Sequence, residues 1–186
     1  MLDHKFTFDT PHHYKSIIKV IGVGGGGGNA VNHMFRRGIT GVDFVVMNTD
    51  AQALSDSPVP NKLQLGARLT EGLGAGSQAK NGEEAALETA EEIKQIFQDN
   101  TKMVFVTAGM GGGTGTGAAP VIAKIAKDLG ILTVAIVTAP FHFEGRDKKE
   151  QAARGIELLQ ENCDTVLVVL NDKLSEMYED LDVDQA

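Results

Sequence analysis

Short, continuously apolar segments alternate with helical patterns along most of this chain, and this alternation constrains the fold more than any other feature. Strands are predicted at 17–23, 42–47, 63–65, 103–108, 132–138 and 165–170. Helices are predicted at 29–37, 51–54, 83–97, 117–129 and 148–161, with a Gly-rich loop at 66–82 and a further helix start near Asp172. Strands that are apolar throughout indicate a parallel sheet covered on both faces. We therefore predict an α/β fold of three layers, a Rossmann-like parallel sheet with helices on both faces.

Charge and cysteine content narrow the classes of partner and compartment. The formal net charge of -8 disfavours nucleic acid and anionic lipid, which need a basic surface. Cys163 is the only cysteine, so no disulfide can form within the chain and a reducing compartment is expected. Residues 1–15 do not resemble a signal peptide, and the longest apolar stretch, 131–139, is too short to span a bilayer. A cytoplasmic protein without membrane insertion is predicted.

The first cluster of glycines, Gly24 to Gly28 followed by Asn29, lies between the first predicted strand and the first predicted helix. Glycine has no Cβ, so its backbone can come close to a phosphate group. The following helix offers unpaired N–H groups and the positive end of its dipole, and Asn29 can cap that helix or bond a ligand. Phosphate binding is therefore predicted here, in preference to a flexible linker.

A dinucleotide-binding interpretation of the same segment stays open. Gly22, Gly24 and Gly27 satisfy the Gly-x-Gly-x-x-Gly fingerprint, and Asp50 would be the acidic residue that follows the second strand. A run of glycines satisfies many patterns, however, and Asp50 lies further on than the usual spacing of about 20 residues. An NAD-dependent oxidoreductase is thus an alternative that gains little support from this match.

A second cluster of glycines, at 109–117, also lies between a strand and a helix, which has Pro120 in its predicted first turn. A simple dinucleotide enzyme has no role for a second phosphate cradle, whereas two loops can hold a triphosphate from two sides. Thr114 and Thr116 would add hydroxyl donors. The sequence contains no Gly-x-x-x-x-Gly-Lys-Ser/Thr motif, which excludes a P-loop NTPase. Backbone dipoles are expected to hold the phosphates, with Mg²⁺ offsetting the remaining charge.

Residues 111–117, Gly-Gly-Gly-Thr-Gly-Thr-Gly, resemble the signature of the tubulin/FtsZ family of GTPases. Other segments resemble this family in the same order along the chain, namely 21–24, 48–50, 72–76, 140–145 and 171–174. The resemblance implies a GTP-binding domain over 16–186, preceded by a flexible arm at 1–15. It also implies that the chain is truncated before the central helix and C-terminal domain of the family, leaving an apolar sheet face partly bare.

The resemblance further implies a set of nucleotide-binding residues. Glu144 would accept the ribose hydroxyls, and Asn171 would bind the guanine edge through its amide. Lys148 stands where many members carry arginine, and Asp147 where a basic residue is common. The phosphates would bind Gly24, Gly25, Gly26, Gly27, Gly28 and Asn29 on one side, and Gly109, Gly111, Gly112, Gly113, Thr114, Gly115 and Thr116 on the other. The remaining members of the set are Asn48, Asp50, Ala75 and Gly76, near the γ-phosphate and metal, with Thr138 and Lys148.

The catalytic acid of the family is expected after Ala186, in a loop that reaches the nucleotide of the next subunit. No residue of this chain is therefore predicted to be catalytic, and the chain alone is predicted to hydrolyse GTP poorly. The implied partners are further copies of the protein in a head-to-tail filament at the midcell division site. Membrane-tethering and regulatory division proteins would bind a C-terminal tail that this chain lacks. Besides the oxidoreductase, a non-hydrolysing tubulin-like scaffold stays an alternative.

Overall fold

The computed structural model describes residues 16–98 and 100–173, and the predicted arm at 1–15 lies outside this part of the chain. Six strands form one sheet: β1 (Ile18–Val23), β2 (Asp43–Asn48), β3 (Asn61–Gln64), β4 (Met103–Gly109), β5 (Leu132–Ala139) and β6 (Thr165–Leu170). Their order is β3-β2-β1-β4-β5-β6, and every pairing is parallel. The predicted parallel sheet is thereby confirmed.

In the described part of the chain, seven α-helices connect or follow these strands: α1 (Gly24–Arg36), α2 (Ala51–Asp56), α3 (Ala67–Thr70), α4 (Ala79–Glu88), α5 (Ala90–Phe97), α6 (Gly113–Asp128) and α7 (Arg146–Asn162). A 3-10 turn, His142–Glu144, precedes α7, and residues 171–173 are helical where the described chain ends. Within the described residues, no helix combines the length and the apolar character needed to cross a membrane.

Two hydrophobic cores, one on each face of the sheet, make the fold three layers deep. On one face Val20 of β1 packs with Val31 of α1 and Leu54 of α2. On the other face Ile21 and Val23 of β1 belong to a larger core with residues of α4, α5, α6 and α7. Because successive side chains of a strand point to opposite faces, a continuously apolar strand such as β1 contributes to both cores. This is the physical basis of the predicted three-layer fold, which is confirmed.

The predicted helix at 83–97 is wrong in its boundaries. It is two helices, α4 and α5, and α4 begins inside the segment predicted as loop, which also contains α3. The break falls at Thr89, whose hydroxyl donates to the carbonyl of Ala85 (2.9 Å) and accepts the N–H of Gly66 (2.9 Å). A threonine hydroxyl that bonds to backbone groups competes with the helical pattern. The predicted inward residues Ile93 and Phe97 are nevertheless buried.

The predicted starts of α1 and α6 are also wrong, because both glycine clusters are largely helical. Helix α1 begins at Gly24 rather than at residue 29, and α6 begins at Gly113 rather than at Gly117. Pro120 is consequently the eighth residue of α6 and not part of its first turn. Glycine disfavours helix by about 1 kcal/mol relative to alanine, so propensity alone points to loops here.

One part of the sheet stays bare on the side that carries α1. Leu132 of β5 and Leu167 of β6 have 49% and 54% of their surface exposed. Ile136 of β5 lines an apolar pocket together with Phe105 of β4 and Met34 of α1. In the described part of the chain, this side of β5 and β6 is the least covered apolar region of the sheet.

Candidate functional site

The two glycine clusters meet at the centre of the sheet. Strands β1 and β4 are adjacent, and the chain leaves them toward opposite edges, which makes their carboxyl ends the topological switch point of a doubly wound sheet. A Cβ placed on Gly26 would lie 3.1 Å from the backbone nitrogen of Gly109, and one on Gly24 would lie 2.9 Å from that of Gly115. Residues that are 83 and 91 positions apart in sequence therefore form one backbone-lined surface.

Both helices that start at this surface have uncapped N-termini. The N-cap residues are Val23 for α1 and Gly112 for α6, and neither has a side chain that can accept a hydrogen bond from the N–H groups of the first turn. Neither first turn contains an acidic residue. The first N–H groups of a helix have no intrahelical partner, and the helix dipole makes this end positive. Two such ends side by side form a site suited to a polyanion such as a chain of phosphates.

The glycines of the two clusters differ in what surrounds them. Cβ atoms added to Gly25, Gly28 or Gly112 would meet no atom within 4 Å. Added Cβ atoms would instead clash with backbone at Gly22, Gly27, Gly115 and Gly117. The open glycines leave room for a ligand, whereas the crowded ones allow the helices to pack closely on the strands and on each other.

Asn29 does not cap α1. It is the sixth residue of the helix and its side chain is exposed, so one of the two roles predicted for it is excluded. The cap position belongs to Val23, because the helix starts five residues earlier than predicted. The ligand role of Asn29 stays a prediction, and the residue borders a narrow cleft together with Gly25, Gly28 and Asn48.

Two threonines that were predicted to donate hydrogen bonds to phosphate also form hydrogen bonds within the protein that stabilise the second cluster. The hydroxyl of Thr116 accepts the N–H of Gly111 (2.8 Å), and Gly111 has a φ of +98°, which favours glycine. The hydroxyl of Thr114 lies 2.7 Å from that of Thr49, and both residues are buried. Thr49 was missed as a site residue, although its neighbours on both sides were predicted. Thr49 lies in the segment 48–50 that resembles the family, and this position was the available sequence signal.

The end of β2 brings two predicted residues to the border of the first cluster. Asn48 is buried, and its side-chain oxygen accepts the N–H of Asp50 (3.3 Å). Asp50 caps α2, since its Oδ1 accepts the N–H of Ala53 (3.0 Å). One carboxylate oxygen of Asp50 therefore has a structural partner.

Three other predicted residues border the second cluster. Ala75 is buried, and its Cβ would be 2.8 Å from a Cβ on Gly113. Gly76 follows it in an exposed turn with a φ of +59°. The carbonyl of Thr138, at the end of β5, accepts the N–H of Met110 (2.9 Å). The chain before α4 and the end of β5 thus flank the start of α6 on two sides.

Glu144 occupies a well-ordered turn between β5 and α7. Its Oε1 accepts the N–H of Phe141 (2.7 Å), and its Oε2 accepts from Nζ of Lys148 (3.1 Å). The backbone hydrogen bond from Phe141, followed by that from Lys148, lowers the pKa of Glu144 below its usual range. The carboxylate is therefore ionised at neutral pH and keeps lone pairs for additional donors.

Asn171 lies at the end of β6, partly buried, one residue before Asp172. Asp172 accepts the backbone N–H of His142 (3.1 Å) and faces its Nδ1 (2.9 Å). The side-chain hydrogen bond with His142 is the first cause that lowers the pKa of Asp172. Neither His142 nor Asp172 was predicted as a site residue. No sequence signal distinguished them, since their contact joins two loops 30 residues apart.

Metal-binding groups of protein side chains do not converge in this region. Across residues 16–98 and 100–173, no three His, Cys, Asp or Glu side chains are grouped to hold a metal ion. A cation that accompanies phosphates can take most of its ligands from phosphate oxygens and water, as Mg²⁺ commonly does. The donor set near the first cluster, Asn48 and the second carboxylate oxygen of Asp50, is of the oxygen type that Mg²⁺ prefers.

Comparison with known proteins identifies relatives over most of the chain. Residues 17–179 match the model of the Tubulin/FtsZ family, GTPase domain. The chain is 59% identical over 160 residues to the cell division protein FtsZ of Aquifex aeolicus (strain VF5), covering 86% of this chain and 43% of the relative. It is 58% identical over 159 residues to FtsZ of Azotobacter vinelandii, covering 86% and 40%. The chain thus spans less than half the length of these curated relatives.

Solved structures show the same fold. An FtsZ dimer of M. jannaschii aligns with a TM-score of 0.86 at 48% identity, covering 91% of this chain and 49% of that one. CetZ2 of Haloferax volcanii, solved as a GTPγS-bound protofilament, aligns with a TM-score of 0.75 at 30% identity, covering 83% and 49%.

Proposed function

This chain belongs to the Tubulin/FtsZ family of GTPase domains, and from that premise we propose that it is the GTP-binding part of a cell-division protein that assembles with copies of itself. One observation carries the proposal beyond family membership. The uncapped N-termini of α1 and α6 meet at the β1–β4 switch point, where they offer two sets of free N–H groups to one polyanionic ligand.

The phosphates of GTP would lie between the two helix ends. Gly25 and Gly112 are open positions at the two helix starts, so a phosphate oxygen can approach their backbone without meeting a side chain. The threonine hydroxyls hold the second cluster in shape, and Thr116 in particular fixes the N–H of Gly111. Binding would thus depend on preformed backbone dipoles, in keeping with the net charge of -8.

Mg²⁺ fits this site as a partner of the phosphates. Its ligands from the protein would be the side chains of Asn48 and Asp50, with phosphate oxygens and water completing the set. When bound, the ion would neutralise phosphate charge that two helix dipoles only partly offset. The residues of the chain itself orient the triphosphate and hold the strand ends in place.

The nucleoside would extend from the second cluster toward the loops after β5 and β6. The ionised carboxylate of Glu144 is suited to accept the two ribose hydroxyls. The amide of Asn171 is suited to the guanine edge, which presents both donors and acceptors. Lys148 holds Glu144 and would also keep a positive charge near the phosphates.

Hydrolysis would require a second subunit. We propose that the residues described here bind GTP and that the group acting on the attacking water comes from a neighbouring subunit, so the chain alone would turn over GTP slowly or not at all. In the whole protein an acid from the neighbouring subunit would complete the site, which makes hydrolysis conditional on assembly at a midcell ring in the cytoplasm. Tethering and regulatory proteins would bind outside this chain.

A competition titration tests the binding proposal. The chain is titrated with a fluorescent GTP analogue, and unlabelled GDP, ATP and NAD are added as competitors in the presence of Mg²⁺. Displacement by GDP, with ATP and NAD much weaker, is expected. Displacement by NAD would instead support the oxidoreductase, and failure of the chain to bind any guanine nucleotide would overturn the assignment of these residues as a GTP site.

Steady-state phosphate release tests the claim about hydrolysis. Release by the chain alone is expected to be indistinguishable from that of a Gly112→Arg variant, in which a long side chain fills the open position of the second cluster. Turnover by the chain well above that of the variant would show that the catalytic group is already present.

A further inference from the structure

The loops that follow β5 and β6 are joined by one side chain. Asp172, just after β6, accepts the backbone N–H of His142 through Oδ1 (3.1 Å), and the same oxygen lies 2.9 Å from Nδ1 of the His142 ring. The two strands are direct neighbours, with Ala139 paired to Leu170 at their carboxyl ends. The contact therefore bridges the two loops at the point where they leave the sheet.

The loop on the His142 side is internally rigid. Phe141 and Glu144 exchange two hydrogen bonds, from the N–H of Phe141 to the carboxylate (2.7 Å) and from the N–H of Glu144 to the carbonyl (3.1 Å). The rings of Phe141 and Phe143 stack with centroids 5.0 Å apart, and the His142 ring meets Phe143 edge-on at 5.4 Å. A loop with these contacts moves as one body, so whatever anchors His142 also positions Glu144.

We propose that His142 and Asp172 form a positioning clasp, which fixes the carboxylate of Glu144 relative to the amide of Asn171. The inference rests on the proposed function, because it assigns these two groups to the ribose and the base of one nucleoside. Glu144 is two residues from one end of the clasp and Asn171 is one residue from the other. The clasp thus sets affinity for the nucleoside part of GTP and leaves phosphate binding unchanged.

The electrostatic surroundings favour the clasp. Asp172 is a carboxylate with a lowered pKa, caused first by its side-chain hydrogen bond to His142 and then by the backbone N–H of the same residue. The positive charge of Lys149 contributes further to this shift. The acceptor therefore stays ionised at neutral pH, where its hydrogen bonds are stronger than those of a neutral group.

The test compares two ligands that share the phosphates and differ in the nucleoside. Dissociation constants for GTP and for inorganic tripolyphosphate are measured on the chain and on His142→Ala, His142→Asn and Asp172→Ala variants. His142→Ala and Asp172→Ala are each expected to weaken GTP binding by roughly fivefold, the effect of losing one or two hydrogen bonds that orient a contact. Tripolyphosphate binding should be unchanged, and His142→Asn, which keeps a side-chain N–H donor, should recover most of the GTP affinity.

Two further variants separate the clasp from general effects. His33→Ala removes an exposed histidine from the last turn of α1, and it should change neither constant. The double variant His142→Ala/Asp172→Ala should bind GTP about as well as Asp172→Ala alone, because loss of the Asp172 carboxylate already removes both hydrogen bonds to His142.

The outcomes distinguish this inference from the proposed function. Binding of GTP by the unmodified chain together with unchanged affinity in His142→Ala and Asp172→Ala would overturn the clasp alone. An equal loss of GTP and tripolyphosphate affinity would also overturn it, since that pattern indicates a structural defect of the whole site. Absence of GTP binding by the unmodified chain would overturn the proposed function, and the clasp with it.

Discussion

The two glycine clusters begin helices at neighbouring strand ends, yet their helices have different surroundings. In α6 the first eight residues, Gly113 to Pro120, are all buried. In α1 only Gly24, Gly27 and Val31 are buried. Helix α6 contacts both α4 and α7 on the face of the sheet with the larger core, whereas Gly25 and Gly26 at the start of α1 are exposed. Similar sequence patterns thus differ in their packing: the start of α6 is enclosed behind the exposed Gly112, whereas Gly25 and Gly26 at the start of α1 are exposed.

The second cluster shows why burial requires glycine. A Cβ on Gly117 would overlap the carbonyl oxygen of Ala79 and come within 2.6 Å of the nitrogen of Glu83. A Cβ on Gly115 would be 2.6 Å from the carbonyl oxygen of Gly109. Backbone atoms cannot move aside as a flexible side chain can. These glycines are therefore required for close packing of the backbone. A cluster of glycines does not by itself show which of its members contact a ligand.

The largest expected effect is on stability, from Gly117→Ala. The added methyl group has no room against the backbone of α4, so we expect a loss of about 3 kcal/mol or more, or failure to fold. The matched control is Gly25→Ala in α1, where the methyl group meets no atom and helix propensity improves by about 1 kcal/mol. Urea denaturation followed by circular dichroism compares the two. Equal stability of both variants would remove the proposed difference between the clusters.

A smaller loss of stability is expected for Thr116→Val. Valine has nearly the same shape but cannot accept the N–H of Gly111, which would be left unpaired in a buried position. A buried N–H without a partner lowers the free energy of unfolding by about 1–3 kcal/mol. Thr70→Val serves as a control, because the Thr70 hydroxyl only donates to backbone carbonyls in a partly buried position. A denaturation midpoint for Thr116→Val no lower than that of the control would show that the threonine does not brace the cluster.

The effect on ligand binding should follow the open glycines. Gly25→Ala and Gly112→Ala place a methyl group where a phosphate would approach, and each is expected to weaken GTP binding by about tenfold through a displaced charge-assisted hydrogen bond. Gly28→Ala is the comparison, since its N–H is the fifth in α1 and is used within the helix; its effect should be smaller. Fluorescence titration measures all three. Equal affinities for all three variants would argue against phosphate binding at the helix ends.

The smallest expected effect is on the pKa of Glu144, in the turn before α7. Lys148 connects this turn to the second cluster, because its Cβ is 3.4 Å from the position of a Cβ on Gly111. The folded-state pKa of Glu144 is lowered, so its contribution to stability is present above the unfolded-state pKa and is lost as pH falls through the folded-state pKa. In Lys148→Ala the pKa of Glu144 should rise but stay below its usual range, because the larger cause, the N–H of Phe141, persists. Carboxyl carbon NMR titration measures it. An unchanged pKa would show that Lys148 does not act on Glu144.

Much of the fold and part of the site follow from local patterns. Most strands were predictable because they are apolar runs with β-branched residues, as in Val166 to Val169 of β6. Strand β3 is largely polar, and it begins two residues earlier than predicted. The starts of α1 and α6 were not predictable, because glycine and threonine are poor helix formers and only contacts with distant segments offset their preference. Thr49 and Asp172 were missed for a related reason, since the partner of each lies at least 30 residues away.

The parallel α/β architecture, the position of two glycine clusters after two strands, and the resemblance that led to the family follow from the sequence alone. These depend on periodicity, on the missing Cβ of glycine and on short motifs, which are all local properties. The three-dimensional arrangement is needed to tell which glycines are open, which hydroxyls form hydrogen bonds within the protein, and that His142 contacts Asp172. Those properties depend on the distances between segments brought together by the strand order, and no local pattern encodes such distances.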